Sequence, residues 1–216
     1  MGVAVSCSRC GGGVRAPDLM HSEWRCHDCG PVAPLHVPHH IGPEILERAA
    51  TLAARGPRKI PLWCPWPLLV GWTVSGVGWV GDDRSGVRAT ALAICAPAPL
   101  SGGPADVVLV AEEPGVGLGT RYAGVPGPDP GPFLGATEDT MAHAKIKAGH
   151  PTPLWSVKTT EDRCAFVGEA RGLWLYAVTW PAAAGYLLAE DLSLRDATEW
   201  LPAELVYGAP SPYLHG

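Results

Sequence analysis

Charge is scarce in this chain, and lysine scarcer still. Only 17% of its 216 residues are charged, and four lysines stand beside twelve arginines. No basic run exists to release counterions from a phosphate backbone. Residues 61–216 hold nine basic and sixteen acidic side chains, against seven and five in residues 1–60. Within residues 7–30, Arg9, Arg15 and Arg25 are balanced by Asp18, Glu23 and Asp28. Nucleic-acid binding is therefore not expected. The N-terminus lacks the charged-then-apolar pattern of a secretion signal. The seven cysteines are an odd number, which suits a reducing cytoplasm better than a disulfide framework. A Ser-His-Asp or Cys-His nucleophile set cannot be assembled, and Cys64, Cys95 and Cys164 sit in apolar settings typical of inert core thiols.

One stretch, Ile60 to Gly81, runs 22 residues without a charge between Arg58-Lys59 and Asp82-Asp83. Its length fits a membrane span. Pro61, Pro65 and Pro67 near one end, and Gly71, Gly76, Gly78 and Gly81 towards the other, make it a poor helix. Buried strand is the better reading, and no membrane insertion is expected.

What is abundant is glycine (27), proline (23) and apolar residues at 47%, a composition of many turns and short strands around a real core. Three parts are expected: a zinc ribbon at 1–36, a linker with one helix at 37–60, and a mainly antiparallel β domain at 61–216. In the linker, Pro43 suits a first helical turn, and Ile45, Leu46, Ala49, Leu52 and Ala53 share one face. Strands are expected at 70–80, 87–96, 106–111, 154–157, 164–167, 173–180 and 186–189, with a last one at 204–207. A loop is expected at 114–135, an ambiguous segment at 137–149 and a short helix at 193–200. The fold class is α+β, with short links implying antiparallel pairing.

The firmest pattern is Cys7-x2-Cys10-Gly11 and Cys26-x2-Cys29-Gly30, with 15 residues between the pairs. Each Cys-x2-Cys-Gly makes a knuckle in which two sulfurs face one point and glycine lets backbone amides turn towards them. Two knuckles supply the tetrahedral thiolate set that zinc prefers. One Zn2+ is expected. With four sulfurs no coordination position stays open, so its role is structural. His27, inside the second knuckle, is the alternative ligand.

Weaker constellations lie beyond the ribbon. Gly115-Val116-Gly117-Leu118-Gly119 follows a strand but lacks the G-x-G-x-x-G spacing, and reads as a flexible loop. Asp82, Asp83 and Arg84 at one turn, Glu112 and Glu113 at a strand end, and Arg121 would form a polar ligand pocket if those ends share a rim. Solvated turns are the plainer reading.

The motifs Gly81-Asp82-Asp83-Arg84-Ser85-Gly86, Val110-Ala111-Glu112-Glu113, Gly115 to Gly124, Gly127-Pro128-Asp129-Pro130-Gly131-Pro132 and Gly168-Glu169-Ala170-Arg171-Gly172-Leu173-Trp174 resemble a family of uncharacterised actinobacterial zinc-ribbon proteins. Some members carry the label phosphotransacetylase, which a short, strand-rich chain without a phosphate loop does not support. The resemblance implies an intracellular bacterial protein and transfers no catalytic residue. Together these features point to a non-enzymatic module engaging a protein partner or a small-molecule ligand. The rival is a small enzyme acting on a phosphate- or carboxylate-bearing metabolite through Asp82, Asp83, Glu112, Glu113 and Arg121.

Overall fold

Of the uncharged stretch 60–81, residues 63–65 and 73–81 are strand, and Leu69 and Val70 between them are exposed. A computed structural model describes residues 2–56, 58–131, 144–188 and 192–215. In chain order come β1 (Val3–Cys7), β2 (Val14–Arg15), β3 (Arg25–Cys26), β4 (Gly30–Pro31), β5 (Pro34–Pro38), α1 (Pro43–Ala54) and β6 (Trp63–Pro65). Then follow β7 (Thr73–Asp82), β8 (Gly86–Pro97), β9 (Pro104–Glu112), α2 (Leu118–Ala123), β10 (Ala144–Ala148), β11 (Pro151–Val157), β12 (Cys164–Ala170), β13 (Leu173–Trp180), a 3-10 helix (Ala182–Leu188) and β14 (Ser193–Asp196). Eleven strands form one sheet in the order β1-β5-β7-β8-β9-β13-β12-β11-β10-β14-β6, and β2-β3-β4 form a small one. Neighbours are antiparallel except β10 and β14. The fold is thus α+β and mainly antiparallel, with a four-cysteine cluster near its start that fits a zinc ribbon.

Alternate residues of the central strands feed two cores. Leu92, Ile94, Val107, Leu109 and Leu175 point to one face, where α1 lies on β7 and β8. Ala91, Ala93, Val108, Val110, Tyr176 and Val178 point to the other, which Leu118 and Tyr122 of α2 and Leu214 of the C-terminal tail cover. Such double burial removes the polar alternation of a half-solvated strand. The sheet also curls: the terminal strand β6 packs against the middle strands β8 and β9. Asp196 fastens that curl. Its Oδ1 accepts from the Leu62 N–H at 3.1 Å, and its Oδ2 from Arg171 Nη1 at 2.7 Å.

The ribbon does not hang from this body. β1 pairs with β5 from Val3↔Pro38 to Cys7↔Pro34, and β5 pairs with β7 at Leu35↔Val80 and His36↔Trp79. The boundary expected at residue 36 crosses β5. The expected helix is α1, with Pro43 in its first turn and Ala50, rather than Leu52, among its fully buried residues.

Several expectations need correction. Residues 118–123 are helical, not loop, because Gly117 and Gly124 take positive φ at either end. Of the segment expected as strand at 186–189, residues 186–188 belong to the 3-10 helix, where the Ala184 N–H bonds Pro181 O at 2.9 Å, and 189 lies outside the described residues. The helix expected at 193–200 is instead β14 over 193–196, in which Leu194 and Asp196 alternate inward with Arg195 outward, followed by a turn. Residues 204–207 contribute a single bridge, Val74↔Tyr207. Residues 144–148 of the ambiguous segment are strand; 137–143 lie outside the described residues. Among the described residues no helix is long and apolar enough to cross a membrane.

Leu46 is fully buried between α1 and the sheet. Leu46→Ala is expected to cost about 2–5 kcal/mol, read as a lower urea midpoint; a loss under about 1 kcal/mol would mean that α1 does not seal this core.

Candidate functional site

Each knuckle is built by backbone turning back on itself. The Gly11 N–H bonds Cys7 O at 2.9 Å, and Gly11 and Gly30 both take positive φ. The Gly12 N–H points at Cys10 Sγ at 3.4 Å. In the second knuckle the N–H groups of Cys29, chiefly, and Asp28 lower the Cys26 thiol to about 7. The four sulfurs of Cys7, Cys10, Cys26 and Cys29 lie within 4.8 Å of one another, and Cys10 and Cys26 are 3.5 Å apart. A Zn–S bond of about 2.3 Å implies S···S edges of about 3.8 Å, so the cluster has the right size for one tetrahedral ion. The donor set fits. His27 is no ligand here; its ring is turned to solvent and meets Asp28 at 2.9 Å.

Of the other six expected site residues, Asp82, Arg84 and Arg121 hold the ribbon in place. Arg121, on α2, donates to Cys7 O at 3.2 Å, and its guanidinium lies so close over Gly11 that a side chain there would strike it. Asp82 ends β7 and ties its own turn: Oδ1 accepts from the Arg84 N–H, the Ser85 N–H and Ser85 Oγ, while Oδ2 accepts from Trp24 Nε1 at 3.0 Å. Partial burial works against its ionisation, but these donors outweigh it and hold Asp82 below the usual carboxylate range. Arg84 reaches Ser22 O at 3.1 Å. Glu113 pairs with Arg88 at 2.9 Å, and Asp83 is exposed on the turn.

Glu112 faces inward. It is 0% exposed, and its Oε2 accepts from the N–H groups of Leu118 at 2.8 Å and Gly119 at 3.1 Å, fixing α2 to β9. Gly119 is required there because a methyl group would overlap the Tyr176 ring. Burial pushes Glu112 up to about 7 despite those two bonds. The six residues therefore do not converge. Asp82 and Arg84 line one cleft of about 470 Å3; Glu112 and Arg121 do not.

That cleft lies between ribbon and sheet, and three of its residues escaped the sequence reading: Arg9, Trp24 and Arg88. Arg9 donates to Val116 O at 3.3 Å and Gly115 O at 2.9 Å, docking the first knuckle on the loop before α2. Trp24 packs edge-on to His36, whose ring stacks on Trp79 at 5.5 Å. A signal was available for Arg9: a guanidinium set between two metal ligands must find acceptors outside the knuckle. The balanced charge of the ribbon concealed it.

Residues 1–214 match the family of unknown function DUF6758, and the chain belongs to that family. No curated protein and no solved structure matches it.

Glu112 sets a pH dependence whose sign follows from its burial. Its folded pKa lies above the unfolded value near 4.3, so between there and about 7 the folded chain keeps a proton that the unfolded chain loses. Stability therefore falls as pH rises through that window. Glu112→Gln, which keeps an acceptor but cannot ionise, should gain on wild type by on the order of 3 kcal/mol between pH 5 and pH 8 in urea titrations. A pH-independent difference would contradict the assignment.

Proposed function

We propose that this family member is a non-enzymatic binding module of the bacterial cytoplasm. In this reading one structural Zn2+ sits in the four-thiolate site, and a small molecule enters the cleft between ribbon and sheet. The observation that carries it is the use made of the candidate catalytic groups. Asp82, Arg84 and Arg121 hold the ribbon through bonds to Trp24, Ser22 and Cys7. Glu113 is paired, and Glu112, the carboxyl nearest neutrality, is sealed from solvent behind α2. A general acid or base must come within hydrogen-bond reach of substrate. The rival enzyme reading therefore gains no support from this geometry.

Zinc is favoured by the all-thiolate donor set and by closure of every coordination position. A cytoplasmic setting is supported by the odd number of cysteines, four of them in the metal-ligand cluster rather than a disulfide framework. The cleft's volume of about 470 Å3 lies in the ordinary range of small-molecule sites, which favours a ligand over a protein partner.

Two measurements test this. Elemental analysis should find one zinc per chain, with Cys26→Ser lowering metal affinity by about tenfold or more; a metal-free native protein would remove the ribbon. Amide NMR of the loaded chain against a mixed library of neutral and charged fragments should gather its shifts at Trp24, Val32 and Ser85. Shifts gathered around Glu112, with turnover lost in Glu112→Gln, would instead establish the enzyme.

A further inference from the structure

Three guanidinium groups from three separate elements line the cleft: Arg9 of the first knuckle, Arg84 of the β7–β8 turn and Arg88 of β8. Their structural bonds do not exhaust them. Arg9 and Arg84 donate only to carbonyl oxygens, of Gly115 and Val116 and of Ser22. A carbonyl oxygen satisfies an N–H but carries no full charge, so these two cations have no anionic partner among the described residues. Arg88 meets Glu113 through Nε, which leaves its two terminal nitrogens. Each guanidinium has five donors in a planar fork.

The acceptors on the same walls are fewer. Asp82 already takes four hydrogen bonds from Arg84, Ser85 and Trp24, so its lone pairs are largely taken up within the cleft wall. Glu23 is exposed and makes no ion pair among the described residues. Donors therefore outnumber acceptors in a concave space whose remaining walls, Trp24, Val32 and Pro34, are largely apolar. Planar forks of this kind match the oxygens of carboxylate and phosphate.

We infer that the cleft binds a small molecule by its anionic head group, a carboxylate or phosphate, held by Arg9, Arg84 and Arg88, with its apolar part against Trp24 and Val32. The inference rests on the cleft being the binding site and adds the charge and orientation of the ligand. Arg88 is the adjustable member, because Glu113 competes with the ligand for it. Arg9 and Arg84 also brace the ribbon, so ligand binding and ribbon docking reinforce one another at the same walls.

The test uses the full metal-loaded chain at constant ionic strength. Inorganic phosphate and succinate are titrated separately, with chloride as control, while the Nε–Hε signals of the three arginines are followed by NMR. Saturable shifts at Arg84 and Arg88 are expected with one or both probes, and the tighter probe identifies the head group. The double substitution Arg84→Gln/Arg88→Gln should weaken binding about tenfold or more. Glu113→Gln, by releasing Arg88, should tighten it about threefold, a gain that loss of structure cannot imitate. Shifts equal to those of chloride, or no tightening in Glu113→Gln, overturn the inference. If neutral fragments still gather in the cleft while both anions fail, the ligand class is wrong and the cleft stands. If nothing perturbs it, both readings fall.

Discussion

Cys7 joins three parts of the molecule in one residue. It closes β1 in register with Pro34 of β5, its sulfur belongs to the four-thiolate cluster, and its carbonyl accepts from Gly11 and from Arg121. Through the first link the ribbon is an extension of the main sheet. Through the third it is bound to α2, which Glu112 in turn fastens to β9. A small ribbon has little core of its own, and metal binding ordinarily supplies most of its folding free energy. Here the same knuckle also forms one wall of the cleft, because Arg9 lies between Cys7 and Cys10 and reaches across to Gly115 and Val116. The shape of the cleft depends on the knuckle being closed.

This arrangement accounts for the charged side chains expected to share one pocket: Asp82, Arg84 and Arg121 are directed at the ribbon and Glu112 at α2. Glu113 is paired with Arg88, and Asp83 is exposed on its turn. Glu112 is the sharpest case. Its perturbed ionisation follows from burial against Tyr176 and α2, and its job is mechanical. Perturbed carboxyls often mark active sites, but an inaccessible one bound to two main-chain amides serves the fold. The arginines are different. Arg9 and Arg84 donate only to neutral carbonyl oxygens at the cleft, and the proposed anionic ligand rests on that.

The four-cysteine cluster was legible in the sequence because four cysteines at knuckle spacing have few other uses. Helix α1 and the β7–β8 hairpin were legible too, since Pro43, the apolar spacing after it and the Gly81–Gly86 turn are local signals. What stayed hidden depended on contacts distant in the chain. Gly117, Gly119 and Gly124 read as loop because the reason for Gly119 is the Tyr176 ring, 57 positions away. β14 read as helix because its alternation is short and because two of the groups that satisfy its inward polar residue Asp196, the Leu62 N–H and Arg171, lie far off in the chain, Thr198 being the near one. The cleft was missed for a similar reason. Arg9 and Trp24 lie in the ribbon and Arg88 in the body, and no spacing rule connects them.

The central claim is that ribbon, α2 and cleft form one coupled unit. Amide hydrogen exchange on the metal-loaded chain and on the chain stripped by a chelator tests it most directly. The account predicts that stripping accelerates exchange at residues 7–30 and also at Leu118, Gly119 and Arg121, which make no contact with the ion. Acceleration confined to residues 7–30, with α2 unchanged, would contradict it.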